Sequence, residues 1–293
     1  MSQAWLAQRE RGTLTALRLI SWITTRIGYG AGRALVHPIC LYFVIFSSHA
    51  RRASRAYLQR VLGRNAGWRD VYRHYHTFAS AILDRVLLLS GRIADFELAV
   101  DGPDVVSRAL ATGRGVLLLG SHVGSFELCR FAGATQPGLV INIVMHEANA
   151  GKVATWMRES APERAPRVIA PGQPETMLRI RDALARGEIV AMLGDRPIRH
   201  SATLPVDFLG STARFPTGPL RVALALDVPV VLFFGIYRGP RCYDLSFERL
   251  PTGTGDPQVR LAALVRQYVA RLEERTRAAP YNWFNFYDYW ERE

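Results

Sequence analysis

The sequence predicts an α/β protein, a mostly parallel sheet with covering helices, preceded by a hydrophobic and amphipathic helical region at the N-terminus. Three observations carry this. From residue 96 onward, short β-prone apolar runs alternate with helical segments, the pattern of a parallel sheet covered on both faces. From Ser54 to Ser90 the apolar residues instead recur at three- and four-residue steps, as on a helix. Between Met1 and Asp70, eleven arginines face only Glu10 and Asp70, so eleven minus two, or +9, of the net +12 sits in this quarter. With 293 residues, 49% of them hydrophobic, the chain can bury one large core. There is no internal repeat and no linker long enough to divide the α/β part, so the chain reads as a basic, amphipathic and hydrophobic membrane-association region over 1–50 and a single α/β domain over 51–293.

In the first region, Leu17, Ile20, Ile23 and Ile27 recur at helical spacing among arginines and predict a basic amphipathic helix lying in an interface. The uncharged run from Ala34 to Ala50, interrupted by His37, Pro38 and His49, predicts a short hydrophobic hairpin or a buried helix. Neither is a clear span, which needs about 20 apolar residues. The stretches between the arginines are apolar, without the polar and stacking residues of a nucleic-acid groove, so an anionic membrane surface is the expected partner and nucleic acid is not. The competing reading is a helix pair docked on the core. Arg9, Glu10 and Arg11 precede the apolar part, which argues against a cleaved signal peptide. The arginines on either side, including Arg51, Arg52 and Arg55, place the body on the cytoplasmic face.

The helical stretch that follows presents Tyr57 and Val61, then Tyr72, Tyr75, Phe78, Ile82, Val86 and Leu89. Strands are predicted at 96–100, 115–120, 139–145, 167–170, 188–193, 228–237 and 243–248, where runs such as GVLLLG, EIVAML and VPVVLFFGIY are rich in β-branched and aromatic residues. Helices are predicted between them near 103–112, 125–134, 149–159, 174–186, 218–226 and 256–276.

Ligands of open α/β sheets collect beyond the carboxyl ends of strands. There the sequence reads GSHVGSFE, with His122 just past a strand and Glu127 at the start of the next helix. An imidazole oriented by a carboxylate is a base for a hydroxyl. In the competing reading, Ser121 or Ser125 caps the helix, Glu127 favours its N-terminus and His122 is incidental. GDRPIR follows another strand, so Asp195 and Arg196 can share the His122 crevice, or close a turn as an ion pair. In RFPTGPLRVALAL, Thr217 or Gly218 opens a helix whose amides can bind an anion, reinforced by Arg214 and Arg221; a plainly capped helix reads equally well.

Other chemistries are poorly supplied. Cys40, Cys129 and Cys242 are scattered and in no metal-ligand spacing. HEANA at 146–150 has alanine where a zinc motif needs its second histidine. No metal and no bound cofactor are expected. The ending PYNWFNFYDYWERE packs seven aromatics between Tyr281 and Trp290, suited to a membrane interface or to docking on the sheet.

HVGSFE, together with WLAQRERGTLTALRLISWI, VAMLGDRP and LPVDFLGSTARFPTGPLRVALALDVPVVLFFG, resembles the lipid A biosynthesis lauroyl/myristoyl acyltransferase family, within the lysophospholipid-acyltransferase-like superfamily. The resemblance implies a bacterial inner-membrane enzyme of lipid and lipopolysaccharide biosynthesis. Such an enzyme moves a fatty acyl group from the thioester of acyl carrier protein, or acyl-CoA, to a hydroxyl of a lipid acceptor. It also implies His122 as the base and Glu127 as the acid that orients it, with Asp195, Arg196, Arg214, Thr217 and Gly218 near substrate. Either backbone amides after His122 or the Arg196 guanidinium would meet the developing oxyanion. The acidic aromatic ending departs from the family's basic one and resembles a branch from aryl-polyene-type lipid pathways, which leaves the acceptor open. The alternative from another class is a non-catalytic membrane-surface binding protein.

Overall fold

A seven-stranded sheet organises the chain. The computed structural model describes residues 20, 22–89, 91–129, 139–145, 167–197 and 201–290. The strands are β1 (Glu97–Asp101), β2 (Val116–Gly120), β3 (Ile141–Val144), β4 (Arg167–Ile169), β5 (Ile189–Leu193), β8 (Val230–Gly239) and β9 (Cys242–Leu250). They lie in the order β1-β9-β8-β2-β5-β3-β4, and every neighbouring pair is parallel except β8 with β9. All seven predicted strands are present. The continuously apolar runs went to the centre: β2 is buried along its whole length, as a strand covered on both faces must be.

The helices are α1 (Tyr29–Phe46), α2 (Ser48–Leu62), α3 (Trp68–Leu89), α4 (Val105–Leu110), α5 (Thr176–Ala185), α6 (Gly218–Leu226) and α7 (Pro257–Ala278). Asp256 caps α7, accepting from the amides of Gln258 and Val259 at 2.9 and 3.1 Å. One apolar cluster on one face of the sheet joins α1, α2, α3, α5, α6 and α7 to Leu117, Leu119, Val190 and Leu232. A second, on the other face, collects α4, Leu88 and Cys129 over Val116, Leu118, Ala191, Val231 and Phe233. Alternate residues of β2, β5 and β8 feed opposite clusters, the two-residue period of a strand read directly in its packing.

Between β5 and β8 the chain adds a hairpin, β6 (Thr203–Phe208) and β7 (Ser211–Pro216), separate from the main sheet. Its two-residue turn, Leu209-Gly210, has positive φ at both positions, 52° and 78°, the backbone that matches strand twist. These two strands are additional to those the sequence predicted. Pro205 and Pro216 argue against a strand, and a hairpin with free edges tolerates them.

The N-terminal region differs in part from expectation. Residues 1–19 lie outside the described residues, and Ile23–Ile27 form a π-helical turn. Thr24, not Ile27, is its buried residue; Ile27 is 63% exposed. The run from residue 34 belongs mostly to the single 18-residue helix α1, which carries Pro38 within it. Gly32, Val36, Cys40 and Val44, spaced every four residues, form its buried face. The opposite side exposes Leu41, Tyr42, Ile45 and Phe46. Among the described residues α1 is the one helix long and apolar enough to cross a membrane by length and composition. Its start is tied to the body: Tyr29 donates to the buried carboxylate of Asp84 at 2.6 Å, which also accepts from the Tyr243 hydroxyl and the Arg241 amide. The helix predicted at 149–159 and the second half of that at 125–134 lie outside the described residues, with the HEANA stretch.

Candidate active site

Strand register alone brings two distant side chains together. β2 and β5 are adjacent and parallel, with Gly120 opposite Leu193. The residues two positions beyond that pair are His122 and Asp195. The strands stay joined past their ends, where the Gly194 amide donates to the Gly120 carbonyl at 3.0 Å and the His122 amide to Asp195 Oδ2 at 3.1 Å. The His122 Nδ1 to Asp195 Oδ1 distance is 2.8 Å. A carboxylate only accepts, so Nδ1 carries the proton and Nε2 is left with its lone pair.

Asp195 is wholly buried, whereas the His122 side chain keeps 32% of its surface exposed. The pair therefore has a sealed end and an open one. Burial by itself would raise the Asp195 proton affinity; the His122 and Arg196 charges and the hydrogen bonds from His122 and Trp283 outweigh it and hold the carboxyl well below the usual carboxylate range. For His122, burial and then the Arg196 charge lower proton affinity, and Asp195 opposes them without cancelling them. At neutral pH the imidazole is uncharged and can accept a proton.

Close backbone packing fixes the loop that holds His122. Gly124 has φ +67°, and a Cβ there would lie 1.9 Å from the Gly235 carbonyl oxygen of β8. The Ser125 amide donates to that same oxygen at 2.7 Å. On the other side runs the C-terminal segment: Val123 bridges to Trp283, the Phe284 amide donates to the His122 carbonyl, and the Gly124 amide to the Asn282 carbonyl. The Asn282 side chain in turn pairs with both backbone groups of Tyr237 on β8. Hence the amides of His122, Gly124 and Ser125 are taken by protein acceptors, and the Val123 amide faces the Ser121 hydroxyl at 3.3 Å.

Arg196 donates to the Phe284 carbonyl at 2.5 Å and lies over the Tyr287 ring, 5.5 Å from its centroid. Glu127 lies in the turn after the loop, in an ion pair with Arg85 of α3 at 2.6 Å. The structure thus places Asp195 at the imidazole nitrogen where the resemblance implied Glu127, for the geometric reason that Asp195 sits in register on the neighbouring strand. Arg214 and Gly218 are exposed and Thr217 is buried. Arg214 reaches the Thr203 hydroxyl at 3.4 Å, and both the amide and the hydroxyl of Thr217 donate to the Ala202 carbonyl. Among the described contacts none joins these three residues to His122.

Sequence reading alone did not single out Asn282, Trp283 and Tyr289. The Trp283 indole donates to Asp195 Oδ2 at 3.0 Å and the Tyr289 hydroxyl to the Asp195 carbonyl at 2.6 Å. The aromatic density of PYNWFNFYDYW was the available signal. Of its two readings the structure bears out docking, with Trp283 wholly buried and Phe284 and Tyr287 nearly so.

A histidine held by a buried aspartate at the carboxyl end of a parallel strand can take a proton from a hydroxyl group at its exposed face. The family model for bacterial lipid A biosynthesis acyltransferases matches residues 9–292, and the chain belongs to that family. It is accordingly an acyltransferase of lipid biosynthesis, with an acyl donor and a lipid acceptor. The comparison with curated proteins gives no match.

Proposed function

We propose that the protein transfers a fatty acyl group from the thioester of acyl carrier protein to a hydroxyl of a lipid or glycolipid, with His122 as general base and Asp195 as the group that orients it. The observation that carries this reading is the 2.8 Å contact between His122 Nδ1 and the wholly buried Asp195, with the other edge of the ring open. His122 Nε2 removes the acceptor's proton as its oxygen bonds to the thioester carbonyl carbon. The tetrahedral intermediate then collapses with cleavage of the carbon–sulfur bond, and the imidazolium returns the proton to the departing thiolate. The products are an ester and a free thiol, and the imidazole is neutral again.

The Arg196 guanidinium, close enough to lower the proton affinity of His122, supplies the positive charge that meets the developing oxyanion, since the neighbouring amides are largely engaged. Glu127, clamped by Arg85, fixes the turn after His122 to α3. The exposed apolar face of α1 and the basic N-terminal quarter rest on the cytoplasmic side of the inner membrane, where the lipid acceptor is found. An acidic carrier protein suits the net charge of +12.

The test is transfer from radiolabelled lauroyl-acyl carrier protein, and in parallel lauroyl-CoA, to lipids extracted from the membranes that hold the enzyme. The native chain is compared with folded His122→Ala, Asp195→Asn and Glu127→Gln. Labelled lipid from the native enzyme, with losses of about 100-fold or more in the first two variants and a smaller loss in Glu127→Gln, supports the assignment. Full activity in Asp195→Asn with none in Glu127→Gln would transfer the orienting role to Glu127.

A further inference from the structure

We propose that Trp283 is a positioning residue that holds both members of the His122–Asp195 pair at once, its side chain fixing the carboxylate and its backbone segment fixing the loop that carries the imidazole. This rests on the reading of that pair as the proton-transfer pair. Asp195 Oδ2 receives two donors, the His122 amide and the Trp283 indole, while Oδ1 faces the imidazole. Two donors on one oxygen fix the plane of the carboxylate and with it the direction in which Oδ1 points. An indole N–H suits the task because it only donates and sits on a rigid ring. Trp283 is wholly buried, and that ring packs edge-on against Tyr57, Phe208 and Tyr289 at centroid distances of 5.0 to 5.2 Å.

The same residue acts on the histidine through its main chain. Trp283 bridges to Val123 in antiparallel register, and the next amide, Phe284, donates to the His122 carbonyl at 2.9 Å. From behind, the ring Nε2 of buried His74 donates to the Trp283 carbonyl at 2.9 Å, so the tryptophan is itself held by α3. One residue of the C-terminal segment therefore sets the relative placement of two groups carried by β2 and β5. Loss of the indole donor leaves the packing and the backbone bridge in place and frees only the carboxylate. Its effect should appear in the chemical step and in the titration of the base, not in substrate binding.

The experiment uses the full-length protein in detergent micelles, with thiol release from lauroyl-acyl carrier protein in the presence of extracted membrane lipid as the assay. Trp283→Phe keeps an aromatic ring and removes the donor; benzothienylalanine at position 283 keeps the full indole shape and replaces N–H by sulfur. The expected result is a kcat lowered about 10-fold with KM changed less than about 2-fold. The acid limb of kcat/KM should also move up by about one pH unit, because a carboxylate with one donor fewer binds the imidazolium more strongly. A pH profile superimposable on the native one in folded Trp283→Phe would overturn the proposal. Should Trp283→Phe fail to fold, the benzothienylalanine protein decides by the same criterion. Asp195→Asn separates the two levels: native rates in that variant overturn the pair itself, whereas an inactive Asp195→Asn beside unshifted position-283 variants overturns only the role of Trp283.

Discussion

His74 donates its Nε2 proton to the carbonyl of Trp283 at 2.9 Å and at Nδ1 accepts from the Ser54 hydroxyl at 2.8 Å, all inside the core. A neutral imidazole satisfies both partners, and burial holds its pKa down to about 4. An unfolded histidine titrates near 6.5, so between about pH 6.5 and 4 the unfolded chain binds more protons than the folded one. The stability conferred by a neutral His74 is thus complete above about pH 6.5 and lost as pH falls to about 4, by roughly 3 kcal/mol. His76 and His122, whose proton affinities are also lowered mainly by burial, add to the same slope. Urea denaturation at pH 7, 5.5 and 4.5 should show this fall in the native protein. His74→Phe should be less stable at pH 7 but flatter across the window; an unchanged slope would remove His74 as its source.

Gly124 to Ala is expected to be among the most damaging small changes in the chain. The added Cβ would stand 1.9 Å from a backbone oxygen of β8 and would occupy a left-handed backbone conformation. A backbone obstacle of this kind cannot rotate away, so the loop must leave β8 and the C-terminal segment together. A loss of more than about 2 kcal/mol in thermal or urea denaturation is expected, together with loss of acyl transfer. Gly210→Ala makes a useful contrast, since its Cβ would meet nothing within 4 Å and only the positive φ is strained.

These two sites mark the boundary of what a sequence discloses. The central strands were legible because a continuously apolar run such as VLLLG suits a strand buried on both faces. His122, Asp195 and Arg196 were legible as residues just beyond strand ends. Their pairing was not, because the neighbour of β2 is β5, a fact of strand order that no local pattern carries. Glu127, near in sequence, was the natural partner to expect, and the register supplied Asp195. The buried face of α3 also carries His74, Thr77, Ser80 and Asp84, polar residues that hydrophobic spacing passes over; the partners of His74 and Asp84 lie on other elements. The tail held its aromatic density in plain view, while its docking depends on hydrogen bonds to Asp195, Tyr237 and His74 made across the whole fold.

Arg196 gives a prediction for the pH dependence of catalysis. Burial and then the Arg196 charge lower the proton affinity of His122, so the acid limb of kcat/KM in the native enzyme should lie below the ordinary histidine value of about 6.5. Arg196→Gln removes a positive charge, which favours the imidazolium and moves that limb toward higher pH. It also removes the group proposed at the oxyanion, so the plateau rate should fall about 100-fold. A reduced plateau with an unmoved limb would place Arg196 near substrate but away from His122. A moved limb with a native plateau would leave oxyanion stabilisation to another donor.

The exposed end of α1 offers the most direct test of membrane contact. Leu41, Tyr42, Ile45 and Phe46 are each at least half exposed, and they recur at the spacing of one helical stripe opposite the face packed on α3. Nothing in the core depends on them, so Ile45→Asp with Phe46→Asp should leave the melting temperature nearly unchanged. Withdrawing two large apolar side chains from a bilayer interface forfeits on the order of 2 kcal/mol or more, and two new acids repel an anionic surface. Sedimentation with vesicles of phosphatidylglycerol and phosphatidylethanolamine should therefore show binding weakened at least about 10-fold relative to the native protein. Binding that falls steeply with salt in both proteins, with no difference between them, would instead assign the contact to the arginines of the N-terminal quarter and leave this stripe without a role in it.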